Sequence, residues 1–170
     1  SSRSPVRGGY FFVAKYSATG EVQWAKAAHG GSGVAADKRG NVYCTGDAIS
    51  ADPAGLNGMH CSKFTRAGEL VWEKTIQGAW PTSLALDGRD EPVFAGELDG
   101  TVQLDDLSVQ HNGTEAEILI CKTDAAGRFQ WALVGRGSAR GIALPVVCDR
   151  AGNAYVAGII GCSLINGASV

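Results

Sequence analysis

Apolar and polar residues alternate along short stretches of the chain, and the same alternation returns three times. An alternation with a period of two places the apolar side chains on one face of a β-strand. No window of ten or more residues has the apolar spacing of a helix. The pattern therefore predicts an all-β chain built from a repeated unit. The clearest alternating pairs, one in each repeat, are Val22 and Trp24, Leu70 and Trp72, and Phe129 and Trp131.

The first block of each repeat predicts two strands joined by a tight turn. A lysine ends the first strand, a glycine follows five residues later, and a tryptophan lies four residues beyond the glycine. Glycine supplies the positive φ that such a hairpin turn requires. The fixed spacing indicates the same hairpin in all three repeats. The three sets are Lys15, Gly20 and Trp24; Lys63, Gly68 and Trp72; and Lys122, Gly127 and Trp131.

The second block of each repeat contains an aspartate and a glycine nine residues apart. The aspartate follows a third strand and begins a turn in which its carboxylate accepts backbone hydrogen bonds. The fourth strand, for example Val42–Cys44, is apolar throughout, which predicts an interior strand that is buried on both faces. The three pairs are Asp37 and Gly46, Asp87 and Gly96, and Asp149 and Gly158.

Four antiparallel strands in a repeat of 48 to 59 residues match one blade of a β-propeller. We therefore predict three four-stranded blades, with units at about 10–58, 59–117 and 118–170. A blade has two apolar faces and must pack against its neighbours, so we expect the three motif tryptophans to dock each blade on the next. The recurring lysines are expected to pair with a recurring carbonyl, or with the motif aspartates Asp37, Asp87 and Asp149.

The combined motif resembles the bacterial β-propeller repeat abbreviated SBBP. The resemblance rests on residues Phe12–Trp24, Gly30–Asp37 and Gly40–Gly46, and it extends through nearly all of the chain in three copies. The second copy has Asp90 and Glu91 where the first has Gly-Asn, and the third has a longer loop before its aspartate. The resemblance implies a bacterial secreted or cell-envelope protein without established enzymatic activity.

A more distant similarity connects the chain to the tryptophan-docked propellers of quinoprotein dehydrogenases. Ala14, Thr19, Gly20 and Trp24 have the spacing of their docking motif. Such enzymes have about eight blades, and many use a vicinal cysteine pair with acidic calcium ligands. This chain has neither eight repeats nor adjacent cysteines. We expect no catalytic residues and no cofactor, with a quinoprotein-like enzyme or a purely structural surface component as alternatives.

Composition excludes some classes of partner and leaves others open. Fifteen basic and 17 acidic residues give a net charge of -2 without a basic stripe, so nucleic acid is not an expected partner. No apolar run approaches the roughly 20 residues that span a bilayer, and Ser1–Gly9 lacks the apolar core of a signal peptide. Five cysteines without a CxxC motif are expected to be free, packed thiols, although disulfides or a metal site are the alternatives.

Three blades do not close a propeller ring, which has roughly four to eight blades. The chain starts and stops at the same phase of the repeat: the 12 residues after Gly158 and the first 15 residues together number 27, close to the 26 between Gly96 and Lys122. We therefore expect further blades to complete the ring. They would come from a longer chain of which this is an excerpt, from another subunit, or from a second copy.

Variable loops between fixed blocks are the expected binding surface, because function in repeat proteins concentrates in such loops. The candidates are Trp80, a tryptophan outside the motif, the basic residues Arg136 and Arg140, and His29. A protein or glycan ligand would stack on the indole or contact the cations. The competing interpretation is that Trp80 packs beside Pro81 and that the arginines are solvated. The histidines have no zinc-type spacing, so no metal is expected.

Overall fold

The described part of the chain is built from antiparallel β-strands. A computed structural model describes residues 11–28, 31–48, 58–112, 115–136, 141–160 and 166–167. Within these ranges there is no helix, and so none that is long and apolar enough to cross a membrane. The all-β prediction is confirmed.

The first half of the chain forms a two-stranded and a four-stranded sheet. The two-stranded sheet pairs β1 (Phe11–Tyr16) with β2 (Val22–Ala28). The four-stranded sheet has the order β3-β4-β5-β6, and we call it sheet A. Its strands are β3 (Gly33–Ala36), β4 (Val42–Ala48), β5 (Gly58–Phe64) and β6 (Leu70–Ile76).

The second half contains a larger sheet, a small hairpin and a second two-stranded sheet. The strands are β7 (Ala79–Leu86), β8 (Pro92–Leu98), β9 (Val102–Leu104), β10 (Leu107–Val109), β11 (Glu117–Thr123), β12 (Phe129–Arg136), β13 (Gly141–Cys148), β14 (Ala154–Ile160) and β15 (Asn166–Gly167). Strands β7, β8, β11 and β12 form sheet B in the order β7-β8-β11-β12, to which β15 adds two residues. Strands β9 and β10 pair with each other, as do β13 and β14.

Each four-stranded sheet combines halves of two consecutive sequence repeats. In sheet A, β3 and β4 come from the first repeat, and the tryptophan hairpin β5–β6 comes from the second. The sheets at 33–76 and 79–136 are therefore out of phase with the sequence units at 10–58 and 59–117. In the first two repeats the fourth strand is flanked on both sides as predicted: β4 lies between β3 and β5, and β8 between β7 and β11. In the third repeat, β14 pairs with β13 alone among the described residues.

Three apolar clusters join the sheets in chain order. Val13 of β1 packs with Val42 and Phe64 of sheet A. The largest cluster connects sheet A with sheet B and includes Tyr43, Met59, Phe94, Leu98 and Leu119. A third cluster joins Val93, Ala95 and Ile118 of sheet B with Ala143 and Val146 of β13. The order of layers is thus β1–β2, sheet A, sheet B and β13–β14.

The strands that precede the motif aspartates, β3, β7 and β13, lie beside one another in successive layers. Strand β7 packs against β3 and β4, and β13 packs against β7 and β8. Equivalent edge strands of successive sheets therefore follow one another, although they belong to different hydrogen-bonded sheets. This arrangement places the tryptophan strands β6 and β12 on the opposite side of sheets A and B from β3 and β7.

The described cysteines are free thiols within the apolar layers. Cys44, Cys61 and Cys121 are buried, Cys148 is half-buried, and none of the four forms a disulfide. Cys162 lies outside the described residues. Burial raises the pKa of Cys61 to about 12 and that of Cys44 to about 11, so both thiols are protonated at neutral pH.

Candidate functional site

A concave pocket of about 600 Å³ lies where strands of sheets A and B end on the same side of the molecule. Its lining consists of one indole, four carboxylates and three small or apolar side chains. The lining residues are Asp47, Trp80, Pro81, Thr82, Glu97, Asp99, Glu115 and Ala116. We call this the Trp80 pocket.

The strand pattern of β7 turns Trp80 toward the pocket. Ala79 is fully buried and Pro81 is buried, whereas the intervening Trp80 is 37% exposed. The pairing of β7 with β8 places Trp80 opposite Glu97, and the register is irregular between Pro81 and Ser83. A proline has no N–H for the ladder, which explains an irregularity at this point. The indole and the Glu97 carboxylate therefore belong to directly paired positions.

Gly96 allows the two strands to approach closely beneath the pocket. A side chain at this position would collide with the backbone carbonyl oxygen of Trp80. Gly96 is the motif glycine of the second block in its repeat, nine residues after Asp87. The repeat motif thus creates the strand geometry on which the pocket rests.

Two of the carboxylates occupy equivalent positions in their repeats. Asp47 follows Gly46 at the end of β4, and Glu97 follows Gly96 at the end of β8. Stacking of sheets A and B brings these two strand ends to one pocket. The third repeat has Ile159 at the same position, where it is 58% exposed. The acidic character is therefore particular to the first two repeats.

The pocket carries an excess of negative charge. Asp47, Glu97, Asp99 and Glu115 line it, and the lining residues that the structure describes include no basic side chain. Burial raises the pKa of Asp47 above its ordinary value, because the ionised carboxylate loses hydration. The described residues contain no cluster of three or more His, Cys, Asp or Glu side chains that could hold a metal ion. The arrangement suits an organic cation.

Of the four predicted binding residues, Trp80 is the one whose side chain the structure describes, and it lies in this pocket. Trp80 lines the pocket and is partly exposed to solvent. Arg136 is the last residue of β12, with its backbone paired with Asn166, and its side chain is not described. His29 and Arg140 lie outside the described residues. Sequence reasoning missed the carboxylates, although the acid that follows the motif glycine in two repeats was a signal.

The motif tryptophans make a second kind of contact, between one layer and the next. The Trp24 indole nitrogen donates to the Arg66 carbonyl oxygen at 3.0 Å, and the Lys15 ammonium donates to the same oxygen at 3.5 Å. In the next repeat, Trp72 and Lys63 both donate to the Ala125 carbonyl oxygen, at 3.3 and 2.9 Å. Each acceptor belongs to the hairpin turn of the following repeat.

The motif glycine is required by this contact as well as by its turn. Gly68 and Gly127 have φ values of 82° and 84°, a region that other residues adopt only with strain. A Cβ on Gly68 would lie 2.8 Å from Cδ2 of Trp24, and one on Gly127 would lie 2.9 Å from Cδ2 of Trp72. The indole therefore packs flat against the glycine of the next turn.

The third lysine has different partners from the first two. The Lys122 ammonium lies 2.7 Å from Oδ2 of Asp87 and 2.7 Å from Oε2 of Glu91. Burial alone would raise the pKa of Asp87, but hydrogen bonds from Lys122 and from the Arg89 and Glu91 amides outweigh it and lower that pKa. Burial opposes the charge of Lys122 too, yet the two carboxylates raise the lysine pKa. Lys122 and Asp87 therefore form a buried ion pair, to which the half-buried Glu91 adds a second carboxylate.

The other motif aspartates organise their own turns. The carboxylate of Asp37 accepts hydrogen bonds from the Arg39 and Asn41 backbone amides at 2.9 and 2.8 Å. Asp149 accepts from the side-chain amide of Asn153 at 2.7 Å. Of the predicted lysine–aspartate pairs, the structure places Lys122 in contact with Asp87, while Lys15 and Lys63 contact carbonyl oxygens.

No family model matches the chain, and no curated protein matches it.

Proposed function

We propose that the chain is a non-catalytic segment of a β-propeller and that its Trp80 pocket binds a basic side chain of a protein partner. The observation that carries the binding proposal is the composition of the pocket: an accessible indole among four carboxylates, with no basic side chain among the lining residues that the structure describes. Ligand sites are typically concave and combine an aromatic surface with a few convergent polar groups.

The stacking of the sheets supports the propeller part of the proposal. Successive sheets are joined through equivalent edge strands, and β3, β7 and β13 follow one another from layer to layer. The indole contacts at Arg66 and Ala125 repeat the same junction between consecutive layers. The resemblance to the SBBP repeat points in the same direction, and it favours a secreted or envelope location in a bacterium.

Charge and aromaticity together favour a cation over an uncharged glycan. An ammonium or guanidinium group is attracted to the face of an indole and to nearby carboxylates. Trp80 and Glu97 lie on directly paired positions, so one cation can contact both. Asp47 is partly desolvated, which strengthens its attraction to a ligand that replaces water. Arginine fits best, because its planar group both stacks and forms bidentate bonds.

This proposal is tested with an array of peptides that contain or lack arginine and lysine. Calorimetry then measures the affinity of the peptide that binds best. We expect binding to basic peptides that weakens with salt, is lost in Trp80→Ala, and falls about tenfold or more in Glu97→Gln. Glu69→Gln, an exposed acid in a hairpin turn, is the matched control and should leave affinity unchanged. Binding that is confined to neutral glycans, or that persists in Trp80→Ala, would contradict the proposal.

A further inference from the structure

The two outer layers are each half of a four-stranded sheet. In sheet A, β5 of the tryptophan hairpin pairs with β4, and in sheet B, β11 pairs with β8. The corresponding strands in the outer layers are β1 and β14. Among the described residues, β1 pairs with β2 alone and β14 with β13 alone. The β1–β2 layer therefore lacks the pair of strands that β13–β14 would supply, and the β13–β14 layer lacks the pair that β1–β2 would supply.

The exposed aromatic residues of the outer layers correspond to buried residues in the complete sheets. Tyr16 is 56% exposed, whereas Phe64 at the equivalent position is 6% exposed and packs near the Trp24 ring at a centroid distance of 6.5 Å. Tyr155 is 56% exposed, whereas its equivalent Tyr43 is fully buried. The same positions are thus covered wherever the sheet has four strands.

The indole junction leaves a matching pair of groups. Trp24 and Trp72 each rest on the motif glycine of the next repeat, but Trp131 has no such turn among the described residues. Gly20, the first motif glycine, has φ 84° and no atom within 4 Å of a Cβ built on it. Trp131, which has no turn to rest on among these residues, and the Gly20 turn, which carries no tryptophan, belong to opposite ends of the stack of sheets.

We propose that β14 of one chain pairs with β1 of a second copy of the same chain, and that Trp131 docks on the Gly20 turn of that copy. Two independent features select the same partner hairpin. Within the chain, Trp72 of sheet A docks on the β11–β12 turn, and β8 of the next layer pairs with β11 of the same hairpin. Trp131 of sheet B and the edge of β14 in the next layer are related in the same way, so both select the β1–β2 hairpin of the second copy. A chain cannot satisfy its own edges, since sheets A and B separate its β1–β2 hairpin from its β13–β14 hairpin.

A closed pair of chains uses all four edges. Each copy contributes two complete sheets, and the two shared sheets are built from one half of each copy. This makes six sheets with four main strands each, to one of which in each copy β15 adds two residues. Six lies within the range of roughly four to eight that closes a propeller. The pairing itself depends on the repeat geometry alone, so it does not depend on the ligand proposed for the Trp80 pocket.

The complete sheets specify the register of this pairing. Tyr43 lies opposite Lys63, and Val93 lies opposite Lys122. Transferred to the outer layers, this register places Tyr155 of one copy opposite Lys15 of the second copy, because Lys15 is the equivalent of Lys63. Val156 then lies opposite Ala14, and Ala157 lies opposite Val13.

Solution mass is the first test. Multi-angle light scattering of the 170-residue chain should give about twice its 17.6 kDa mass over a range of concentrations. Gly20→Ala should weaken association about tenfold or more, because a methyl group there would occupy the position of the indole. Gly78→Ala is the control, because Gly78 also has positive φ but lies between β6 and β7, where a Cβ would meet Gly100 and Val102 of the same chain at 3.4 Å. A wild-type chain that stays at 17.6 kDa would overturn the proposal.

An engineered disulfide tests the register without relying on those variants. Directly opposed residues of antiparallel strands lie about 4.5–5.5 Å apart between Cα atoms, which a disulfide can bridge. Ala14→Cys combined with Val156→Cys should yield a crosslinked dimer under oxidation. Ala14→Cys combined with Ala157→Cys should not, since a shift of one residue turns the side chain to the other face. Equal crosslinking of both pairs, or none beyond the wild-type background, would also overturn the proposal.

Discussion

Replacing Gly127 with alanine should destabilise the chain far more than the backbone strain alone. Alanine at positive φ costs about 1–2 kcal/mol. The new methyl carbon would also lie 2.9 Å from Cδ2 and Cε2 of Trp72, so the indole must move. Its hydrogen bond to the Ala125 carbonyl would be lost at about 1 kcal/mol, and overpacking adds about 1–3 kcal/mol. The expected total is about 3–6 kcal/mol.

Gly152→Ala isolates the backbone share of this cost. Gly152 closes a turn of the same type, with its amide bonded to Asp149, and has a φ of 93°. A Cβ there meets only an ordinary contact, at 3.7 Å from Oδ2 of Asp87. We expect about 1–2 kcal/mol for this variant. The difference between the two glycines, about 2–4 kcal/mol, measures the indole contact.

Urea unfolding followed by tryptophan fluorescence and circular dichroism gives both free energies of unfolding, at a protein concentration that is the same for all variants. The indole N–H resonance of Trp72 should shift in Gly127→Ala and remain in place in Gly152→Ala. If the two variants unfold with the same free energy, the glycine is retained for its turn alone. The interlayer role that we assign to the tryptophan would then be refuted.

Four further predictions concern the charged and thiol groups. Lys122→Met should cost about 3–5 kcal/mol, because it leaves Asp87 buried without a cation, whereas Lys63→Met should cost about 1 kcal/mol, since its main acceptor is a carbonyl; urea unfolding measures both. The contribution of Asp87 to the free energy of unfolding is complete above the ordinary aspartate pKa and is lost as the pH falls through its lowered folded pKa. The contribution of Lys122 is lost as the pH rises through its raised folded pKa. Acid and alkaline unfolding of the wild type and of Lys122→Met will compare the two. Affinity for a basic peptide should weaken as the pH falls through the raised pKa of Asp47, a dependence that calorimetry should find absent in Asp47→Asn. Cys61 should react with a thiol reagent only after unfolding, which a denaturant series of labelling rates will show.

The strands themselves were predictable from the sequence because alternation and turn residues are local properties. The interior position of the fourth strand followed from its apolar character on both faces, and β4 and β8 have that position. The phase of the sheets was not predictable in this way. A repeat can be divided at any point without changing its sequence period, and the pairing of β4 with β5 is a contact between two successive repeats.

The partners of the recurring lysines required the three-dimensional structure. Lys63 and Lys122 have the same place in the motif, yet one donates to a carbonyl and the other contacts two carboxylates. Glu91 replaces the asparagine of the other repeats and adds a second acid beside Asp87, and no following hairpin turn faces Lys122 among the described residues. The loss of that asparagine was visible in the sequence, but its consequence depended on which strand Lys122 would face.

The different environment of Lys122 also determines the strength of the proposed junction between two chains. Within the chain, each junction has two donors on one carbonyl oxygen: Trp24 with Lys15, and Trp72 with Lys63. In the proposed third junction Trp131 would be the single donor, because Lys122 is held by two carboxylates of its own chain. A junction with one donor fewer is the weakest of the three. Dilution should therefore separate the copies while sheets A and B remain folded, and light scattering combined with circular dichroism on the same samples will show whether dissociation precedes unfolding.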